Sequence, residues 1–149
     1  MTAASDELRA WAEGLNHRVA AVELLVRAFS GRFAAEGNPW IVRYADDGLP
    51  VEGRLYVDPE VIRQHADVYS GGERRVLTLV ASLVDEQPVN IVDVVSGVDR
   101  DVLALVLAAL SHAGSGTDGN TVLVRSSAGT ALVDVGPVMP WPDVLPAES

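Results

Sequence analysis

Apolar residues in the first quarter of the chain recur at helical spacing. Leu8, Trp11, Leu15, Val19, Val22, Val26, Phe29 and Phe33 follow one another by three or four residues, which places them on one stripe. The spacing predicts a long amphipathic helix over about Asp6 to Ala35, capped by Ser5 and stopped by the Gly37, Asn38, Pro39 cluster. Gly14 and Gly31 weaken it from within. With a glycine inside and few heptads, the stripe reads as a core-packing face, and a dimer through this helix stays open.

The period then changes. Trp40 to Tyr44 and Arg54 to Val57 are rich in β-branched and aromatic residues, and Asp46, Asp47, Gly48, Leu49 and Pro50 between them supply turn chemistry, so the two segments are expected to pair as a hairpin. Asp58 followed by Pro59 opens a short helix to about Ala66, and a further helix runs from about Gly71 to Val84. Pro88 to Val95, the turn Ser96, Gly97, Val98, and Asp99 to Ala113 read as a short helix, a tight turn and a longer helix stopped by Gly114. Thr121 to Arg125 and Thr130 to Val135 flank Ser126 to Gly129 as a second hairpin. From Gly136 onward, Pro137, Pro140, Pro142 and Pro146 impose an extended tail.

Composition narrows the picture. At 149 residues and 48% hydrophobic, the chain holds enough apolar surface for the core of one globular domain. Charges interrupt even its richest stretch, Val76 to Leu110, so no membrane-spanning helix is expected. The first twelve residues are acidic and lack a basic start followed by an apolar core, so no secretory signal is read and a cytoplasmic location is expected. The absence of cysteine removes disulfides, thiolate catalysis and Cys-based zinc sites.

The net charge is −10, and all eleven basic residues are Arg. Residues 1 to 75 hold nine Arg against twelve acids, whereas residues 76 to 149 hold two against nine. Such a body repels phosphate backbones and anionic membranes unless its Arg residues gather on one face.

The third block carries a resemblance. Pro88 to Leu103 looks like the helix-turn-helix of bacterial winged-helix regulators, with Ile91, Val94 and Val95 in the second helix, Gly97 and Val98 in the turn, and Leu103, Leu107 and Leu110 anchoring the third helix. On that resemblance the helix from Gly71 would be the first of three and Thr121 to Val135 the wing. The departure lies where a DNA-binding member presents polar and basic residues to base edges. Here the third helix offers Asp99, Arg100, Asp101, Ser111 and His112 around an Ala, Leu and Val run, and the wing offers Arg125. A helix apolar nearly all round is buried by its own domain or by a partner.

Other motifs have plainer explanations. Ser70, Gly71, Gly72 and Glu73 resemble an ABC-type nucleotide signature, but the chain has no Lys for a P-loop, and Ser70 with Glu73 has the spacing of a capping box. His17, His65 and His112 sit far apart on separate elements and form no zinc motif. Ser111 and His112 are consecutive on a helix and point about 100° apart, so they cannot act as nucleophile and base together. Arg74 and Arg75, with Arg63 nearby, either form the one basic patch on an acidic body or are a solvated first turn of their helix, the solvated turn being favoured. The ribbon around Trp141 either clasps its own core or docks in a groove of another protein, the clasp being favoured.

The expected fold is α+β in a single domain: a long N-terminal helix and small β-hairpin over residues 1–69, a winged-helix-like unit of three helices plus a hairpin over 70–135, and an extended tail over 136–149. The expected function is a non-enzymatic cytoplasmic protein-interaction module that self-associates through the N-terminal helix or the apolar third helix. Its partner is a second copy or another protein, with Trp11, Val22, Phe29, Leu105 and Trp141 as contact residues. The alternative is a winged-helix transcriptional regulator with Arg100 and Arg125 near DNA and Arg74 and Arg75 on phosphates. No cofactor, metal or membrane partner is expected. An enzyme reading stands third, on Ser70, Asp93 or His112.

Overall fold

The computed structural model describes residues 3–43, 54–116 and 121–143. The architecture is α+β, with helices α1 (Ala3–Ala12), α2 (Asn16–Arg27), α3 (Pro59–His65), α4 (Gly71–Asp85), α5 (Ile91–Val95) and α6 (Arg100–Ser115). Two antiparallel strand pairs complete it: β1 (Ile41–Arg43) with β2 (Leu55–Val57), and β3 (Thr121–Ser126) with β4 (Gly129–Asp134). The hairpins do not join into one sheet. The first pairs Ile41 with Val57, as its sequence predicts, and its turn residues Asp46 to Pro50 lie outside the described residues. Among the described residues no helix is long and apolar enough to cross a membrane.

The single long N-terminal helix is not formed. The chain breaks first at Gly14, whose φ of +89° is costly for any residue with a Cβ, and α1 folds back onto α2. It breaks again after Arg27, where Phe29, Ser30 and Gly31 take left-handed φ values of 50°, 58° and 75° before a 3-10 segment continues to Ala34. The apolar stripe serves an aromatic cluster instead of two more helical turns. Phe33 lies edge-on to Phe29 and Tyr69, with ring centroids 5.6 and 5.2 Å apart, and Trp40 stands edge-on to Tyr69 at 5.8 Å. Trp40 is fully buried, and its indole N–H donates to the Phe33 carbonyl at 2.9 Å, satisfying both groups away from water. Ser5 lies inside α1 and is buried, so it is not the cap.

The remaining described α-helices, α3 to α6, start at side-chain caps. Asp58 accepts from the Glu60 and Val61 amides, Ser70 from the Glu73 amide, Asn90 from Val92 and Asp99 from Val102. Two ends move: α5 starts at Ile91, three residues after the expected Pro88, and α6 runs past Gly114 to Ser115 and stops at Gly116.

The central element is α2, which packs against α1, α4 and α6. Ala20, Ala21, Val22, Leu24 and Leu25 are buried around Glu23, the one acid in that run. Glu23 is held by Arg9 of α1 (Nε to Oε1, 2.7 Å) and by Arg27 one turn on (Nε to Oε2, 2.8 Å). Burial alone would raise the Glu23 carboxyl, but the hydrogen bonds from Arg9 and Arg27 outweigh it and hold the group below its ordinary range. One contiguous core runs from Leu8 on α1 to Ala109 on α6.

Candidate interaction surface

Helix α6 resolves the expectation of a helix apolar all round by splitting it. Val102, Val106, Ala109 and His112 turn inward onto α2, whereas Leu107 (38% exposed) and Leu110 (36%) remain on the outside. Beside the preceding turn, Ile91 and Val92 of α5 are also exposed.

The β3–β4 ribbon carries five exposed large apolar residues, Val122, Leu123, Val124, Leu132 and Val133. Every residue of both strands is exposed, and among the described residues the ribbon makes no extensive contact with another element. Side chains alternate across a strand and directly opposed residues share a face, so the register defines two surfaces. Val122 with Val133 and Val124 with Ala131 form one; Leu123 with Leu132 forms the other, flanked by Thr121 with Asp134 and by Arg125 with Thr130. Leu123 (61%) and Leu132 (74%) are the more open, against 41% or 42% for the three valines. An isolated two-stranded ribbon is marginal in water, and this one carries exposed apolar side chains on both faces.

After the ribbon, the tail returns to the body. The Met139 amide donates to Ser111 Oγ at 3.1 Å, and Arg27 Nη1 reaches the Pro142 carbonyl at 3.5 Å. The Trp141 ring lies 6.2 Å from that of His112 and 5.1 Å from the Arg27 guanidinium carbon. The tail is therefore a clasp over α2 and α6, as its sequence favours. Burial pushes the His112 imidazole below its ordinary value, against a smaller pull from Glu23.

The predicted contact residues are dispersed. Val22 is fully buried and is core, so it is no contact residue. Trp11, Phe29, Leu105 and Trp141 are half-buried and packed against the core. Trp11 is engaged by Tyr56, with ring centroids 6.3 Å apart, and by the Arg18 guanidinium 4.7 Å from its ring.

Arg63 does not join Arg74 and Arg75 in a basic patch, because it forms a two-pronged pair with Asp85 (2.5 and 2.9 Å) at the opposite end of α4, about 16 Å along the helix from Arg74. That pairing holds the Asp85 carboxyl below its ordinary range. Arg75 Nε donates to the Asp93 carbonyl at 2.9 Å, and Arg74 and Arg75 line a cleft of about 320 Å³ with Thr78, Asp93, Val94 and Ser96. Arg100 and Arg125 are exposed on α6 and the ribbon.

The other candidates have local partners. Ser70 donates from its hydroxyl to Glu73 Oε1 at 2.7 Å, and Glu73 also pairs with Arg32. His17 and His65 donate to the Leu83 and Val61 carbonyls, at 2.7 and 2.9 Å. Among the described residues no group of three or more His, Asp or Glu is placed to hold a metal.

The sequence shows the ribbon strands as alternating or apolar runs but does not single out their apolar residues as contacts. The signal was present in Val122, Leu123 and Val124, a consecutive run that puts apolar groups on both faces of a strand and marks burial on both sides. Comparisons with known protein families, with characterised proteins and with solved structures found no match to this chain.

Proposed function

We propose that this chain is a non-enzymatic, cytoplasmic protein-interaction module that associates with itself through the β3–β4 ribbon. The observation that carries this reading is a ribbon exposed along its whole length yet with apolar side chains on both faces. Two bodies of net charge −10 repel each other, so association by apolar contact strengthens as salt screens that repulsion.

Sedimentation equilibrium from micromolar to millimolar protein tests it, at low and high salt. The expected result is a dimer that tightens with salt and is lost in Leu123→Asp, a substitution at a largely exposed position that leaves the core intact. A wild-type protein that stays monomeric throughout, or a Leu123→Asp variant that dimerises as well as wild type, overturns the reading.

A second reading, a winged-helix transcriptional regulator, is favoured by the order α4, α5, α6 and projecting ribbon, with Arg74, Arg75, Arg100 and Arg125 as its cations. It predicts the opposite salt dependence: anisotropy of a labelled duplex would report binding that fades with added salt and weakens in Arg74→Ala.

A further inference from the structure

The geometry points to an isologous ribbon pair, in which the Leu123–Leu132 face of β3–β4 packs on the same face of a second copy and Arg125 of each chain pairs with Asp134 of the other. This inference rests on the self-association reading above and specifies its geometry. A closed two-fold interface must be self-complementary, with each end of the contact surface meeting the other end in the partner. The Leu face meets that requirement. Its centre is the directly opposed pair Leu123 and Leu132; two residues along in one direction stand Arg125 and Thr130, and two residues along in the other stand Thr121 and Asp134. A two-fold axis across the strands, lying between two such faces, returns the Leu pair onto itself. It also carries the Arg125 end of each ribbon over the Asp134 end of the other.

Within one chain these charges cannot meet. They are four registers apart, about 13 Å at the rise of a strand. Among the described residues neither takes part in an ion pair, and Asp134 uses Oδ1 to accept the Gly136 amide at 2.9 Å, leaving Oδ2 for a partner. The ribbon strands carry one Arg and one Asp and are locally neutral, unlike the acidic body. A second copy therefore matches this face in apolar position and in charge at both ends. Sheets packed face to face lie about 10 Å apart, a gap that opposed Leu side chains fill and an Arg side chain crosses.

The test uses the full chain and two single reversals, Arg125→Asp and Asp134→Arg. Each turns both cross-pairs of the homodimer into like-charge contacts, so each alone is expected to weaken dimerisation by about tenfold or more. In a heterodimer of the two variants, one chain carries an acid at both positions and the other a guanidinium at both. Each cross-pair then joins opposite charges again, so an equal mixture is expected to recover an affinity close to wild type. Sedimentation of the variants alone and mixed, one carrying a fluorescent label, reads this directly. If the wild type dimerises, Leu123→Asp abolishes the dimer and the single reversals change nothing, the proposed pairing is overturned while self-association through the ribbon stands. If the reversals weaken dimerisation but mixing restores nothing, the two-fold geometry is overturned. A monomeric wild type overturns this inference together with the reading beneath it. Circular dichroism of each variant keeps a folding defect from passing as a lost interface.

Discussion

Glu23 supplies the sharpest test of how the body is held together. Its carboxylate is 13% exposed and accepts from Arg9 at 2.7 and 3.4 Å and from Arg27 at 2.8 Å, while those two side chains are 28% and 27% exposed. Breaking a fully buried pair from one side costs about 3–5 kcal/mol, and breaking an exposed one about 0.2–1 kcal/mol. A mostly buried acid clamped by two partly solvated guanidiniums falls between these limits. Glu23→Ala is therefore expected to cost about 2 kcal/mol, lowering the melting temperature by about 4–8 °C in a domain of this size. Glu23→Gln, which keeps the shape and removes the charge, should cost about half as much.

The pH dependence separates charge from packing. Because the folded-state value of Glu23 is depressed, its contribution is complete above the unfolded value near 4.5 and is lost as pH falls through the folded value. Urea unfolding followed by tryptophan fluorescence at neutral and acid pH measures both effects. A Glu23→Ala cost under about 0.5 kcal/mol, or a Glu23→Gln cost that stays the same well below pH 4, would refute the argument. A double-mutant cycle with Arg9→Ala assigns the share carried between α1 and α2.

Other residues give further checks. His112 is buried under Trp141 with its folded-state value depressed, so the unfolded chain takes up the proton first. Stability then falls as pH drops below the unfolded value near 6.5 and levels off below the folded one; His112→Gln should flatten that slope in denaturation curves taken between about pH 7.5 and 5. Gly31→Ala should destabilise by about 2 kcal/mol, because φ is +75° and a Cβ there would lie 3.0 Å from the Val26 carbonyl oxygen, a backbone atom that cannot swing aside; an unchanged melting temperature would show that the break after Arg27 is pliable.

Local chemistry alone determined much of this protein. The caps at Asp58, Ser70 and Asp99 are satisfied by amides two or three residues away, so their sequence spacing suffices to place a helix start. Both hairpins follow from β-branched runs, and the proline-rich tail returns as the expected clasp around Trp141. Three things waited on the tertiary structure. The stripe from Leu8 to Phe33 is continuous in period, but the break depends on where Trp40 and Tyr69 stand, and an aromatic cluster assembled from residues 29 to 69 outweighs the local preference for two more helical turns. Arg63 lies close to Arg74 in sequence yet is held at the far end of α4, because a long-range partner, Asp85, outweighs proximity along the chain. The exposure of Leu123 and Leu132 was also beyond sequence, since an apolar strand carries the same residues whether its own domain covers it or a partner does. Only the packing of α2 between α4 and α6, which completes the core without the ribbon, leaves that surface open.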